Sequence, residues 1–142
     1  MTISGQNLSI VIVTLKSEKV IHQCLKSINQ NIPIIVVENS NNQKFKEELE
    51  SKYENLKCIL SKSNLGMGAG NNIGINSANT DYVLVLNPDV ILEKDTLNEL
   101  FLASNNLNNF SMLAPLETTF SNYGISNEKH TDRDLKKIKK NK

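Results

Sequence analysis

Short apolar runs alternate with stretches of helical periodicity along this chain. Leu8 to Val13 is nearly continuous and β-branched, the pattern of a buried strand rather than an alternating one. Ser17 is placed to cap a following helix, in which Val20, Ile21, Cys24, Leu25 and Ile28 recur at helical spacing. Ile32 to Val37 reads as a second strand, with Pro33 tolerated at its start. Ser40 and Gln43 form a capping-box pattern that predicts a helix over roughly 41–53. Leu56 to Leu60 is a third strand, and Gly66 to Ala78 a glycine-rich turn leading into a helix. Tyr82 to Leu86 is a fourth strand. Asp95 then caps a helix carrying Leu97, Leu100, Phe101 and Leu107, and Ser111 to Leu116 is read as a further strand.

This β-α alternation predicts an α/β fold with a mainly parallel sheet flanked by helices and right-handed crossovers. Ligands of such sheets bind outside the carboxyl ends of the strands. The informative residues are therefore those that follow each apolar run. They are Thr14-Leu15-Lys16, then Glu38-Asn39-Ser40, then the stretch from Ser63 to Asn72, then Asn87-Pro88-Asp89. Asn, Asp, Gly and Pro are turn formers, which accounts for any one of these loops taken singly. Glu is not, so Glu38 is harder to assign to a turn.

Gly66, Gly68 and Gly70 are spaced G-x-G-x-G after the third strand, not G-x-G-x-x-G after the first, which argues against a dinucleotide fingerprint. Two readings remain: a plain loop-to-helix junction, or small residues that let a phosphate approach the backbone at a helix N-terminus. Asp89 stands on a turn after a buried strand. A carboxylate there suits a hard divalent cation, which needs only one or two such ligands when phosphates and water complete its shell.

Composition changes this picture little. Of 142 residues, 39% are hydrophobic and 22% charged, as in a soluble globular domain with one core. The net charge of +1 conceals an asymmetry: residues 126–142 hold seven Lys/Arg against three Asp/Glu. We read residues 1–120 as the domain and 121–142 as a basic flexible tail. Without interleaved aromatics the tail does not suggest nucleic acid, and contact with anionic lipid is at most peripheral. Cys24 and Cys58 fit no metal-type spacing and read as buried hydrophobes. His22 reads as a helix-surface residue, and His130 lies among charged tail residues. No apolar stretch approaches membrane-spanning length, so a cytoplasmic protein, at most peripheral at the inner membrane face, is the expectation.

Taken together, four segments resemble the glycosyltransferase family 2 enzymes, especially their rhamnosyltransferase-like branch. They are Ile12-Val13-Thr14-Leu15-Lys16, Val36-Val37-Glu38-Asn39-Ser40, Asn64 to Gly74, and Val85-Leu86-Asn87-Pro88-Asp89. Order and spacing agree from about Leu8 to Leu107. The resemblance implies a Rossmann-like nucleotide-diphospho-sugar transferase (GT-A) fold, truncated to its nucleotide-sugar-binding N-terminal half. It implies that Glu38 contacts the nucleotide base, that Thr14 and Asn64 line the base and ribose pocket, and that Asn39, Gly66 and Asn71 belong to the same donor site. Asn87 and Asp89 occupy the family's D-x-D position, with Asp89 as ligand of Mg²⁺ or Mn²⁺.

The implied reaction is inverting transfer, of hexosyltransferase type, from a nucleoside-diphosphate sugar to a glycan or lipid-linked acceptor hydroxyl, as in polysaccharide or cell-wall synthesis. Glu38 replaces the family's usual Asp, and Leu15-Lys16 replaces Tyr-Asn. The catalytic base is expected in a C-terminal half beyond this chain, supplied in the same gene product or by a second polypeptide. The alternatives are a non-catalytic nucleotide-sugar-binding or interaction module and, more distantly, a dinucleotide-binding oxidoreductase domain.

Overall fold

The computed structural model describes residues 7–107 and 110–115. Its elements run β1 (Leu8–Thr14), α1 (Ile21–Ser27), β2 (Ile34–Glu38), α2 (Gln43–Lys52), β3 (Leu56–Leu60), α3 (Gly66–Ser77), β4 (Tyr82–Leu86) and α4 (Thr96–Asn105). The four strands form one parallel sheet in the order β3-β2-β1-β4. The chain steps outward from β1 to β3 and then crosses back over β1 to place β4 on its other side. That reversal makes the carboxyl edge between β1 and β4 a topological switch point, where such sheets hold ligands.

Strand pleating sends alternate side chains to opposite faces. Ile10 and Ile12 of β1, Ile34 and Val36 of β2, and Cys58 of β3 pack with Ile21, Cys24 and Leu25 of α1 and Phe45 and Leu49 of α2. Val11, Ile35 and Val37 face the other way, against Ile73 and Ala78 at the α3 side. β1 and β2 are buried almost throughout, which explains their unbroken apolar sequences. β4 is just as apolar but pairs only with β1 in the described sheet, and Tyr82 and Val85 are left 44% and 43% exposed. Apolar content cannot distinguish a central strand from one at the margin.

The helix starts differ from expectation. Ser17 does not cap α1: its carbonyl closes a turn onto Val20 and Ile21, and its hydroxyl bonds the Leu15 backbone. The helix begins at Ile21, with Val20 at its cap position. Ser40 does not cap α2. Asn42 does, accepting from Phe45 N at 3.1 Å, while the Ser40 hydroxyl turns to Glu38. Both serines had closer acceptors or donors within their own turns, which is the competition that local hydrogen bonding by short polar side chains always sets up. Asp95 holds the cap position of α4 without a side-chain cap bond.

His22 is not a bare surface residue. Its Nδ1 lies 3.0 Å from the Tyr53 hydroxyl, its Nε2 3.2 Å from Glu48, and its ring stacks on Tyr53, fastening α1 to α2. The chain divides at Phe110/Ser111, and the elements above all belong to the first unit. Ser111–Pro115 is irregular, so the strand expected from Ser111 does not form there; Ala and Pro are poor strand formers. Leu116, His130 and the basic tail lie outside the described residues.

Candidate functional site

Strand register brings the loop residues together. Thr14 pairs with Glu38 across β1 and β2, Glu38 with Leu60 across β2 and β3, and Ile12 with Leu86 across β1 and β4. Thr14, Glu38, Ser61 and Asn87 therefore stand along one carboxyl edge, though the chain between Thr14 and Asn87 is long. The expected convergence of these loops is present.

The residues on that edge divide into two sets. Thr14, Glu38 and Asn39 are buried. Asn64, Gly66, Asn87 and Asp89 are exposed, and Asn71 is half-buried on α3. The Glu38 carboxylate accepts from Ser40 N at 3.0 Å and Ser40 Oγ at 2.5 Å through Oε1, and from Asn42 N at 2.8 Å through Oε2. It holds the turn between β2 and α2, using three of the roughly four acceptor positions a carboxylate offers. This explains why a poor turn former stands at the end of β2.

Glu38→Gln leaves an amide nitrogen facing one of those backbone donors. Losing a hydrogen bond in a buried site costs about 1–3 kcal/mol. A urea titration of the variant is expected to show a loss of that size, and an unchanged midpoint would refute the account of the turn.

Asn39 ties the second loop to the third. Its Nδ2 donates to Gly66 O at 3.1 Å, and its Oδ1 lies 2.9 Å from the Ser61 hydroxyl. That hydroxyl also faces Glu38 O at 3.1 Å and Ser63 O at 2.7 Å, so one proton is shared among three oxygens. Ser61 was invisible to sequence reasoning, because a serine after a strand carries no signal until its neighbours are known. Asn64 Oδ1 accepts from Gly66 N at 2.9 Å, closing the entry to α3. The buried trio and Ser61 build the frame, and the exposed set is what a ligand can reach.

The glycines serve two purposes. Gly66 has φ +77° at the first residue of α3, a conformation that L side chains rarely adopt. Gly70 and Gly74 instead permit close packing. A Cβ on Gly70 would come within 2.9 Å of Val13, and one on Gly74 within 2.3 Å of Val11. The stretch is thus a helix–sheet junction at its far end and open backbone at its near end, where Gly66 and Gly68 meet nothing within 4 Å.

Thr14 Oγ1 is fully buried and has no hydrogen-bond partner among the described residues. On the β4 side, Asn87 O closes a turn onto Val90 N at 3.2 Å, which presents Asp89 outward. No hydrogen bond or ion pair among the described residues engages the Asp89 carboxylate. No group of three or more His, Cys, Asp and Glu able to hold a metal occurs there either. One free carboxylate on an exposed turn fits a cation that takes most of its shell from phosphate and water, and does not fit a site closed by protein ligands alone.

Burial, helped by the nearby Asp89 carboxylate, pushes the Cys24 thiol up to about 11, and burial pushes Cys58 up to about 12. At pH 8 the thiolate of Cys24 is about one part in 1,000, so both cysteines should resist a thiol reagent until urea unfolds the chain. Prompt modification of the folded protein would contradict this.

A parallel sheet covered by helices, with polar loops gathered at a switch point, defines the class as a Rossmann-like α/β domain. A family model described as "Glycosyl transferase family 2" matches residues 9–132, and the chain belongs to that family. It is 33% identical over 113 residues to the low-salt glycan biosynthesis hexosyltransferase Agl10 of Haloferax volcanii, covering 77% of this chain and 36% of that protein. It is 27% identical over 125 residues to an uncharacterized glycosyltransferase of Haemophilus influenzae, covering 83% of this chain and 47% of that one. The chain thus spans less than half the length of either relative.

The crystal structure of S. aureus TarS 1–349 superposes with a TM-score of 0.61 at 24% identity, over 70% of this chain and 32% of that one. The same protein in complex with UDP gives 0.60 at 23% identity, with equal coverage. These likenesses show the GT-A fold. Among the described residues no helix is long and apolar enough to cross a membrane.

Proposed function

We propose that this chain binds the nucleoside diphosphate of a sugar donor along the carboxyl edge of its sheet, with Asp89 directed to a divalent cation, Mg²⁺ or Mn²⁺. The observation that carries this reading is the exposed Asp89 carboxylate, which no hydrogen bond or ion pair among the described residues engages, on the turn that follows β4 at the switch point. The UDP held by the structurally similar TarS supports a nucleoside diphosphate as ligand.

The exposed near end of α3 offers backbone and helix N-terminus to phosphate, and the exposed Asn64 and Asn87 offer carboxamides on the same carboxyl edge. Glu38 and Asn39 act by holding the loops that contact the base and ribose, since both are buried and engaged by the protein itself. When bound, the cation would neutralise charge on the leaving diphosphate. The transfer is inverting: an acceptor hydroxyl of a glycan or lipid-linked glycan displaces the diphosphate at the anomeric carbon in one step. The base that deprotonates the acceptor, and the acceptor surface itself, lie outside the described residues, in a further segment or a second polypeptide. The work is proposed to occur in the cytoplasm, with at most peripheral membrane contact.

Thermal unfolding with UDP, with and without Mn²⁺, tests the reading. Stabilisation that requires both components is expected. Curves unmoved by any pairing of nucleoside diphosphate and metal would sink it. Binding without release of diphosphate from a sugar donor would indicate a binding module instead of a transferase.

A further inference from the structure

We infer that Cys24 and Ser27, on α1, are positioning residues that hold the Asp89 turn in register for the cation. The inference rests on the donor-site reading given above and adds to it two residues on an element that reading leaves out.

Two tethers bracket Asp89. Before it, Asn87 O accepts from Cys24 Sγ at 3.6 Å, and the same carbonyl closes the turn onto Val90 N. After it, Leu92 N donates to Ser27 Oγ at 3.0 Å. The Ser27 side chain is itself tied to the backbone of Cys24, because its hydroxyl donates to Cys24 O at 2.7 Å. Residues three apart on a helix share a face, so a single turn of α1 grips both ends of the segment. Cys24 is fully buried and α1 is packed on the sheet, so the grip is anchored in the core.

Packing holds part of this segment, because Val90 and Leu92 lie half-buried against the core. Asp89 and Ile91 are exposed, and behind the segment lies a cavity of about 220 Å³ bordered by Ser27, Ile32, Leu92, Glu93, Lys94 and Leu97. Beside those packed side chains, the two hydrogen bonds fix the backbone on either side of the exposed Asp89. Mg²⁺ demands near-ideal octahedral geometry at about 2.0–2.1 Å. Ligand positions must therefore be held within about 0.5 Å, the tolerance that groups supporting the ligands normally enforce.

The test uses the full chain and three variants. Ser27→Ala removes one tether with little loss of packing, Ser27→Thr keeps the hydroxyl at a position that borders the cavity, and Cys24→Ala removes the other. Amide exchange over residues 87–92 is read without ligand, and UDP affinity is read by calorimetry with Mn²⁺ and with EDTA. Ser27→Ala is expected to speed exchange in that segment and to weaken Mn²⁺-dependent UDP binding about 3- to 10-fold, the range set by one hydrogen bond. Binding in EDTA should stay the same, and Ser27→Thr should restore both properties. Cys24→Ala should act in the same direction.

Unchanged exchange in both alanine variants overturns the tether. Faster exchange with unaltered Mn²⁺-dependent affinity overturns the positioning role. A wild-type chain that binds no UDP with either metal overturns the donor reading and with it the purpose assigned to the grip, while the exchange rates still show whether α1 holds the segment.

Discussion

Asp89→Ala is expected to remove the metal-dependent part of nucleoside diphosphate binding and to leave the fold intact. The carboxylate is exposed and makes no hydrogen bond or ion pair among the described residues, so its loss breaks neither kind of bond there. Surface substitutions of that kind change stability by about 0.5 kcal/mol or less. On the proposed reading its effect on ligand binding is large, because a diphosphate and a divalent cation would bind as a unit and Asp89 is the carboxylate proposed to hold them. A ligand at 100 times its dissociation constant stabilises the native state by about 2.7 kcal/mol. For a domain of this size that corresponds to a rise in Tm of about 8–12 °C. The wild-type chain with UDP and Mn²⁺ should show such a rise, and the variant should show under about 2 °C at equal concentrations. Asp89→Asn is the sharper variant, since it keeps the shape and removes the charge. If it retained the full Mn²⁺-dependent shift, the cation would have to be placed elsewhere.

Gly74→Ala is expected to lower stability by crowding the helix–sheet junction. The added Cβ would lie 2.3 Å from Val11 Cγ1 and 3.3 Å from Val11 Cβ, so rotating the valine cannot clear it. Val11 is fully buried at the centre of the sheet, and its β-branched side chain has few rotamers to choose from. Something must move, and α3 is the element free to do so. Overpacking of this kind costs about 1–3 kcal/mol, of which alanine's higher helix propensity returns up to about 1 kcal/mol. Gly68→Ala is the matched control. It meets nothing within 4 Å, so it should gain stability from propensity alone. Gly70→Ala should fall between, because its nearest contacts are the ends of the Val13 side chain at 2.9 and 3.0 Å. Urea midpoints in the order Gly68→Ala, Gly70→Ala, Gly74→Ala from most to least stable would support close helix–sheet packing as the reason for the glycines, and any other order would refute it. Because Asn39 bonds Gly66 O at the head of α3, a displaced helix should also weaken UDP binding.

Periodicity determined much of this molecule. The apolar runs at Leu8, Ile32 and Tyr82 and the helical stripes between them specified a parallel α/β sheet, because that arrangement covers continuous apolar strands while giving each helix one covered face. Parallel connection also fixed which strand ends share an edge, so Thr14, Glu38, Asn39, Asn87 and Asp89 were legible as neighbours before any coordinates. Tertiary structure alone decided what each of them does. Glu38 and Asn39 are buried braces and Asn87 and Asp89 are open to solvent, a distinction that depends on which elements lie over each loop. The caps fell to Val20 and Asn42 instead of Ser17 and Ser40 because a short polar side chain takes whichever partner its turn presents first. Nothing in the sequence pointed Ser61, Cys24 or Ser27 toward the site. Their importance comes from partners 22 to 65 residues away in the chain. Local pattern reports the faces an element must bury, whereas a hydrogen bond between distant residues exists only once the fold has closed the distance.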